Sequence, residues 1–222
     1  MNLIVTITSD FICPWCLVGE RRLAKALATL PKGITVETHW CPFELNPDLP
    51  AQGVDRKTYR TMKFGSWARS QTMDAHTVQA GKDDGIAFDY AAIERTPNTF
   101  QAHRLMQLAE RQGVATAVAA AVFSAYFEQG RDIGDAAVLA DIAVESGLAR
   151  EAVDAFLAGD EGVQEVRTAE RAVQASGVRS VPLFEIGGEV ISGAQSVEQF
   201  ALALQRATGL AEGCVDGACS VG

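Results

Sequence analysis

Two thiols separated by two residues, in Cys13-Pro14-Trp15-Cys16, are the side chains of this sequence best spaced for chemistry. They stand where an apolar, largely β-branched run (Leu3, Ile4, Val5, Ile7) gives way to helical periodicity at Leu17, Glu20, Arg21, Leu23, Ala24 and Leu27. The expectation is a strand that hands over to a helix at the thiols. At a helix N-terminus the positive end of the dipole and the unpaired backbone N–H groups favour thiolate over thiol. Cys13 is then the nucleophile. Cys16, one turn further in and on the packed side, can attack a mixed disulfide formed at Cys13 and release the partner. Pro14 suits a first turn, where no N–H is needed. The same thiols could be half of a zinc site or two buried cysteines that lie close. A zinc site normally draws four ligands from two such pairs, whereas the strand-C-x-x-C-helix order is a redox arrangement.

The elements that must hold these thiols follow along the chain. Ile34, Val36, Thr38 and Trp40 alternate with Thr35, Glu37 and His39, which predicts a second strand and a βαβ unit with parallel strands. The proline-rich stretch Cys41–Pro50 reads as a loop leaving the sheet. From about Asp55 to Ser176 the pattern is almost wholly helical, with periodic stretches at Tyr59–Phe64, Thr99–Ala109, Val114–Phe127, Ala136–Val144, Ala152–Leu157 and Val163–Ala175. Asn98 or Thr96 is a candidate cap for the helix carrying His103, and Asp132 or Asp135 for the one that begins at Ala136. After Gly177, two short runs around Gly187-Gly188 predict a β-hairpin, followed by an amphipathic helix with Val197, Phe200, Ala201, Leu204 and Ala207 on one face. The order is βαβ, helical insertion, ββα.

Composition bounds the partners. At 222 residues, 48% hydrophobic and 21% charged, the chain is ordinary for a globular protein of one large domain or a domain with an insertion. A net charge of −9 argues against a nucleic-acid partner, which needs clustered Lys and Arg. No run is long and apolar enough to span a bilayer. With no signal-like segment before the first strand, a cytoplasmic location is expected, where thiols are kept mostly reduced.

Several short motifs carry a family resemblance. Ser9-Asp10-Phe11-Ile12-Cys13-Pro14-Trp15-Cys16 with Gly19, Pro42-Phe43-Glu44-Leu45-Asn46-Pro47, Asn98-Thr99 with Ala102-His103-Arg104, Val181-Pro182, and Gly193-Ala194-Gln195 together resemble the DsbA-like thioredoxin-fold proteins of the FrnE type. The match extends to about Thr208. It implies an α/β thioredoxin fold (residues 1–50 and 177–208) interrupted by an all-helical domain (51–176), dithiol-disulfide oxidoreductase activity of the protein disulfide isomerase type, and no metal or bound cofactor. It also points to the related hydroxychromene-carboxylate isomerases and kappa-class glutathione transferases, which typically have a serine at the position of Cys13. The resemblance implies a cis Val181–Pro182 bond opposite Cys13, with the Val181 backbone offered to an extended substrate or to glutathione. Pro14 and Trp15 would border the same substrate. Two readings stand for His103: facing the Cys13 sulfur, or satisfying a core position. Asp10 is either a proton-transfer partner for Cys16 or a turn residue. Gln195 and Ser196 could present N–H groups to a carboxylate, and Ser196 is equally a helix cap.

Residues 209–222 form a Gly-rich tail with Cys214 and Cys219, a candidate second redox pair exchanging with Cys13 and Cys16. Cys41 receives no role. The expected function is a cytoplasmic thiol-disulfide oxidoreductase acting on protein disulfides or glutathione, and a homodimer is compatible with it. Two alternatives stand beside it. One is a glutathione-dependent isomerase or transferase for a small aromatic substrate; the other is an interaction module held by zinc on Cys13, Cys16, Cys214 and Cys219.

Overall fold

A computed structural model describes residues 2–210. In β1 (Asn2–Ser9) the residues Leu3, Val5 and Ile7 are buried while Ile4 is half exposed, the alternation of a strand packed most heavily on one face. It leads into α1 (Pro14–Leu27), which buries Cys16, Leu17, Val18 and Leu23, and then β2 (Thr35–Pro42) returns parallel to β1 with Leu3 opposite Val36 and Ile7 opposite Trp40. β2 runs further than the alternation predicts: Cys41 and Pro42 belong to it, and the Phe43 N–H still donates to the Ser9 carbonyl at 3.1 Å. Pro42 is tolerated because β2 is an edge strand.

The chain then enters its insertion: β3 (Val54–Asp55), α2 (Arg56–Phe64), α3 (Trp67–Gly81), β4 (Arg95–Thr96), α4 (Phe100–Arg111), α5 (Ala115–Phe127), α6 (Ala136–Glu145), α7 (Arg150–Ala158) and α8 (Val163–Ala175). The insertion is therefore not all-helical, because β3 and β4 pair antiparallel, Val54 opposite Thr96. Helix α3 escapes apolar periodicity for a physical reason. The residues it buries are Ser70, Asp74, Thr77 and Gly81, and it is held by charge: Asp74 takes Nη2 of Arg56 and Nη2 of Arg60 at 2.7 Å each. Asp135 caps α6 by accepting the N–H groups of Ala137 and Val138. At α4 the cap position belongs to Thr99, while the Asn98 side chain accepts the Phe100 N–H at 3.0 Å.

The sheet resumes with β5 (Leu183–Ile186) and β6 (Glu189–Ser192), joined by Gly187 and Gly188, both at positive φ as this tight hairpin requires. β5 lies antiparallel to β1, giving the strand order β2-β1-β5-β6, and α9 (Val197–Ala207) packs beside α1 through Phe200, Ala203 and Leu204. The fold is that of the expected α/β architecture, βαβ and ββα around an inserted, mainly helical segment.

Gly19 sets how closely α1 lies on the sheet. A Cβ there would stand 2.7 Å from Phe184 Cζ and 3.4 Å from Pro182 Cγ. Gly19→Ala is therefore expected to destabilise the protein by about 1–3 kcal/mol through overpacking, read as a fall in Tm of several degrees; an unchanged Tm would show that the contact relaxes freely.

Candidate active site

The thiols owe their placement to the turn between β1 and α1. The Cys13 N–H donates to the Asp10 carbonyl at 3.0 Å, closing the turn, and Cys13 then adopts an extended backbone (φ −92°, ψ 109°) as the N-cap of α1. Its carbonyl accepts the N–H groups of Cys16 at 3.0 Å and Leu17 at 3.4 Å. Pro14 occupies the first turn. Cys13 is thus at the positive end of the helix dipole, and Cys16 lies one turn deeper, 1% exposed. Burial, followed by the neighbouring Cys13, pushes the Cys16 thiol well above its ordinary range; the Asp10 main chain and the Ser9 hydroxyl pull weakly the other way.

The Val181–Pro182 peptide bond is cis, and the Val181 carbonyl faces Cys13 Sγ at 3.8 Å. The Gly193 N–H holds the Pro182 carbonyl at 2.9 Å, tying this segment to the end of β6. Cys13, Pro14 and Trp15 border a cleft of about 210 Å³ whose other wall comes from the insertion. Ile12, Leu45, Phe64 and Met73 make it apolar, and Lys63 brings a cation whose ammonium donates to Asn46 Oδ1 at 2.6 Å and Tyr59 Oη at 3.1 Å. Cys16 does not line the cleft. Cys13, Cys16 and Cys41 are free thiols.

Other sequence-derived candidates lie elsewhere. His103 does not border the cleft: it is 4% exposed, with its ring 5.2 Å from that of Phe11 and Nε2 3.6 Å from Asp10 Oδ1, because α4 packs its side chain beneath the β1–α1 turn. Gln195 turns its amide onto the Ser192 carbonyl at 2.7 Å, and Ser196 caps α9 through the Gln199 N–H, so neither faces the cleft. Cys41 sits on β2 opposite Thr8, and burial, followed by Glu110 and Glu185, raises its thiol. Cys214 and Cys219 lie outside the described residues. Among the described residues no group of three or more His, Cys, Asp or Glu is arranged to hold a metal ion, and no helix is long and apolar enough to cross a membrane.

Sequence reasoning gave no role to Asn46, Tyr59 or Lys63, nor to a buried carboxylate at Glu44. Asn46 and Glu44 stand in the motif that follows Pro42, which was the available signal; Tyr59 and Lys63 read only as one helical stretch. Arg104 proves structural, its guanidinium donating to the carbonyls of Phe156, Gly159 and Glu161 at the end of α7. Glu44 accepts Nη1 of Arg167 at 2.6 Å beside Glu170. Burial, then Glu170, raises its carboxyl to about 7.

The DSBA-like thioredoxin domain matches residues 4–205. The chain belongs to the DsbA-like thioredoxin domain family. It is 34% identical to a probable DsbA oxidoreductase from Streptomyces coelicolor, whose crystal structure superposes with a TM-score of 0.83 over 93% of this chain and 90% of that one. It is 27% identical to the uncharacterized protein YwbO of Bacillus subtilis (strain 168), over 92% of this chain and 96% of that protein. A 2-hydroxychromene-2-carboxylate isomerase shares the fold at 16% identity and a TM-score of 0.70, over 96% of this DsbA-like chain and 100% of the isomerase.

The raised Glu44 carboxyl has a thermodynamic consequence. Between the ordinary carboxylate value of 4.5 and about 7 the native state binds a proton that the unfolded chain does not. This contribution to stability is complete below pH 4.5 and is lost as pH rises through 7. Calorimetry from pH 5 to 8 should show Glu44→Gln losing less stability with rising pH than the wild type; parallel curves would contradict the assignment.

Proposed function

We propose that this DsbA-like protein is a dithiol-disulfide oxidoreductase in which Cys13 is the nucleophile and Cys16 the resolving thiol. The observation that carries the reading is the asymmetry of the pair: both thiols are largely buried, but Cys13 caps α1 and lines the cleft, while Cys16 lies one turn behind it and does not. The Cys13 thiolate attacks one sulfur of a substrate disulfide, forming a Cys13–substrate bond and expelling the other sulfur as a thiolate that takes a proton. The Cys16 thiol then loses its proton and attacks Cys13 Sγ. A Cys13–Cys16 disulfide forms, the substrate leaves as its second thiolate, and two electrons have passed from protein to substrate. The reverse sequence oxidises a dithiol, and the net direction follows the reduction potential of the pair against its surroundings. The Val181 carbonyl beside the reacting sulfur suits an extended peptide or the backbone of glutathione, either of which can pair with it as a strand does. In this reading the protein works in the cytoplasm, and Cys214 and Cys219 exchange electrons with the primary pair.

A second reading is favoured by one observation, the small apolar cleft that both Cys13 and the Lys63 cation line. It would accept a small aromatic substrate with an acidic group, as a glutathione-dependent isomerase or transferase requires. Dithiothreitol-driven reduction of insulin separates the two. Wild-type activity should fall to background in both Cys13→Ser and Cys16→Ser under the oxidoreductase reading. Turnover of a glutathione-dependent substrate that survives Cys16→Ser but not Cys13→Ser, with no insulin reduction by the wild type, would replace it.

A further inference from the structure

Helix α3 supplies Met73, Asp74 and Thr77 to the cleft, yet no fully buried apolar side chain seats it there. Its buried positions are Ser70, Asp74, Thr77 and Gly81, and the bonds of Asp74 and Thr77, to Arg56, Arg60 and Tyr90, stay within the insertion. Helix α1 reaches α3 at its C-terminal end through two cations. Arg22, about two turns past Trp15, donates from Nε to Asp84 Oδ2 at 2.7 Å, from Nη2 to the Ala80 carbonyl at 3.0 Å and from Nη1 to the Ala194 carbonyl at 2.8 Å. Ala80 stands one turn beyond Thr77 on α3, and Asp84, its side chain 6% exposed, lies in the short turn Lys82–Asp84 that follows. Lys25 adds bonds to Asp84 Oδ1 at 2.9 Å and to the Asp83 carbonyl at 2.8 Å. Ala194 belongs to the Gly193-Ala194-Gln195 motif, and its neighbour Gly193 holds the Pro182 carbonyl. A guanidinium is a rigid planar fork, so bonding three acceptors at once fixes their mutual positions as a flexible ammonium would not. Arg22 itself does not line the cleft.

We propose that Arg22 is a positioning residue for disulfide exchange with polypeptides, a clasp that sets the spacing between Cys13 on α1, the Val181–Pro182 segment and the α3 wall of the cleft. The inference rests on the dithiol-exchange reading. Each of the three segments that Arg22 joins carries one part of the site. Helix α1 begins after Cys13; Gly193 holds Pro182 and with it the Val181 carbonyl, 3.8 Å from Cys13 Sγ; α3 lines the cleft. A polypeptide that pairs with the Val181 backbone while one of its side chains enters the cleft meets all three at once, so its binding depends on their spacing. A small disulfide that meets only Cys13 is indifferent to it. Arg22 acts through these segments, and the reactivity of the Cys13 thiol is left to the helix N-terminus.

Two disulfides, each reacted with the reduced full-length protein over a range of concentrations, test the clasp. One joins two peptides, one of which carries a fluorophore and the other its quencher; the second is hydroxyethyl disulfide, which has no peptide backbone. The peptide yields a half-saturating concentration and a limiting rate, and the small disulfide a second-order constant for attack by Cys13. Arg22→Met, which keeps the apolar stem, should raise the half-saturating concentration for the peptide about 10-fold or more and leave the other two constants within about twofold of wild type. Arg22→Lys keeps a charge opposite Asp84 without the fork and should behave like Arg22→Met. Unchanged peptide saturation in Arg22→Met overturns the clasp. So does an equal fall on both disulfides, which would make Arg22 a residue of general stability, and so does full rescue by Arg22→Lys, which would reduce it to a charge. A wild type that reacts with hydroxyethyl disulfide but not with the peptide also overturns it; a wild type that reacts with neither overturns the dithiol-exchange reading itself.

Discussion

The seating of the first turn of α1 on the end of the sheet is the constraint on which the rest of the molecule depends. One backbone hydrogen bond, from the Cys13 N–H to the Asp10 carbonyl, ends β1 and starts the helix. The missing side chain at Gly19 then lets α1 close onto Phe184 and Pro182. These two local facts put Cys13 at the helix N-cap, Cys16 in the core, and the Val181 carbonyl against Cys13 Sγ. The two thiols are unequal for local reasons: burial, followed by the neighbouring Cys13, penalises the charged form of Cys16, while Cys13 stands at the helix N-terminus and lines the cleft.

The inserted segment serves this turn from two sides. Helices α2 and α3 raise one wall of the cleft and are locked to each other by Asp74 between two arginines. Removing one partner of such a buried ion group costs about 3–5 kcal/mol, since the remaining charges lose their compensation. On the inner side, α4 carries His103 under the turn and α8 carries Arg167 to Glu44, so the polar atoms beneath the thiols belong to several elements distant in sequence. An insertion that only covered the sheet would not need buried polar groups at these points.

The thioredoxin-like half was legible because its signals are local. Leu3, Val5 and Ile7 alternate, Pro14 marks a helix start, and Gly187-Gly188 marks a hairpin; each pattern is created by the element it predicts. Helix α3 was illegible because it buries Ser70, Asp74 and Thr77, and a polar buried face leaves no apolar stripe to count. The two-residue strands β3 and β4 are too short for alternation to register. His103 could be singled out as unusual, but whether it met Cys13 or Asp10 depended on how α4 docks, which is a tertiary fact. Glu44 looked like a loop residue. Its meaning comes from Arg167, 123 positions away in sequence.

The central proposal is that Cys13, 5% exposed at the wall of the cleft, is the thiol that reacts first and that Cys16, 1% exposed behind it, is its shielded partner. Timed alkylation of the reduced protein with iodoacetamide at pH 7, quenched and resolved by peptide mass spectrometry, tests it most directly. The structure predicts that the Cys13 adduct forms first and that Cys16 and Cys41 remain free while Cys13 is being consumed. Modification of Cys16 at a rate equal to or faster than that of Cys13 would contradict the account.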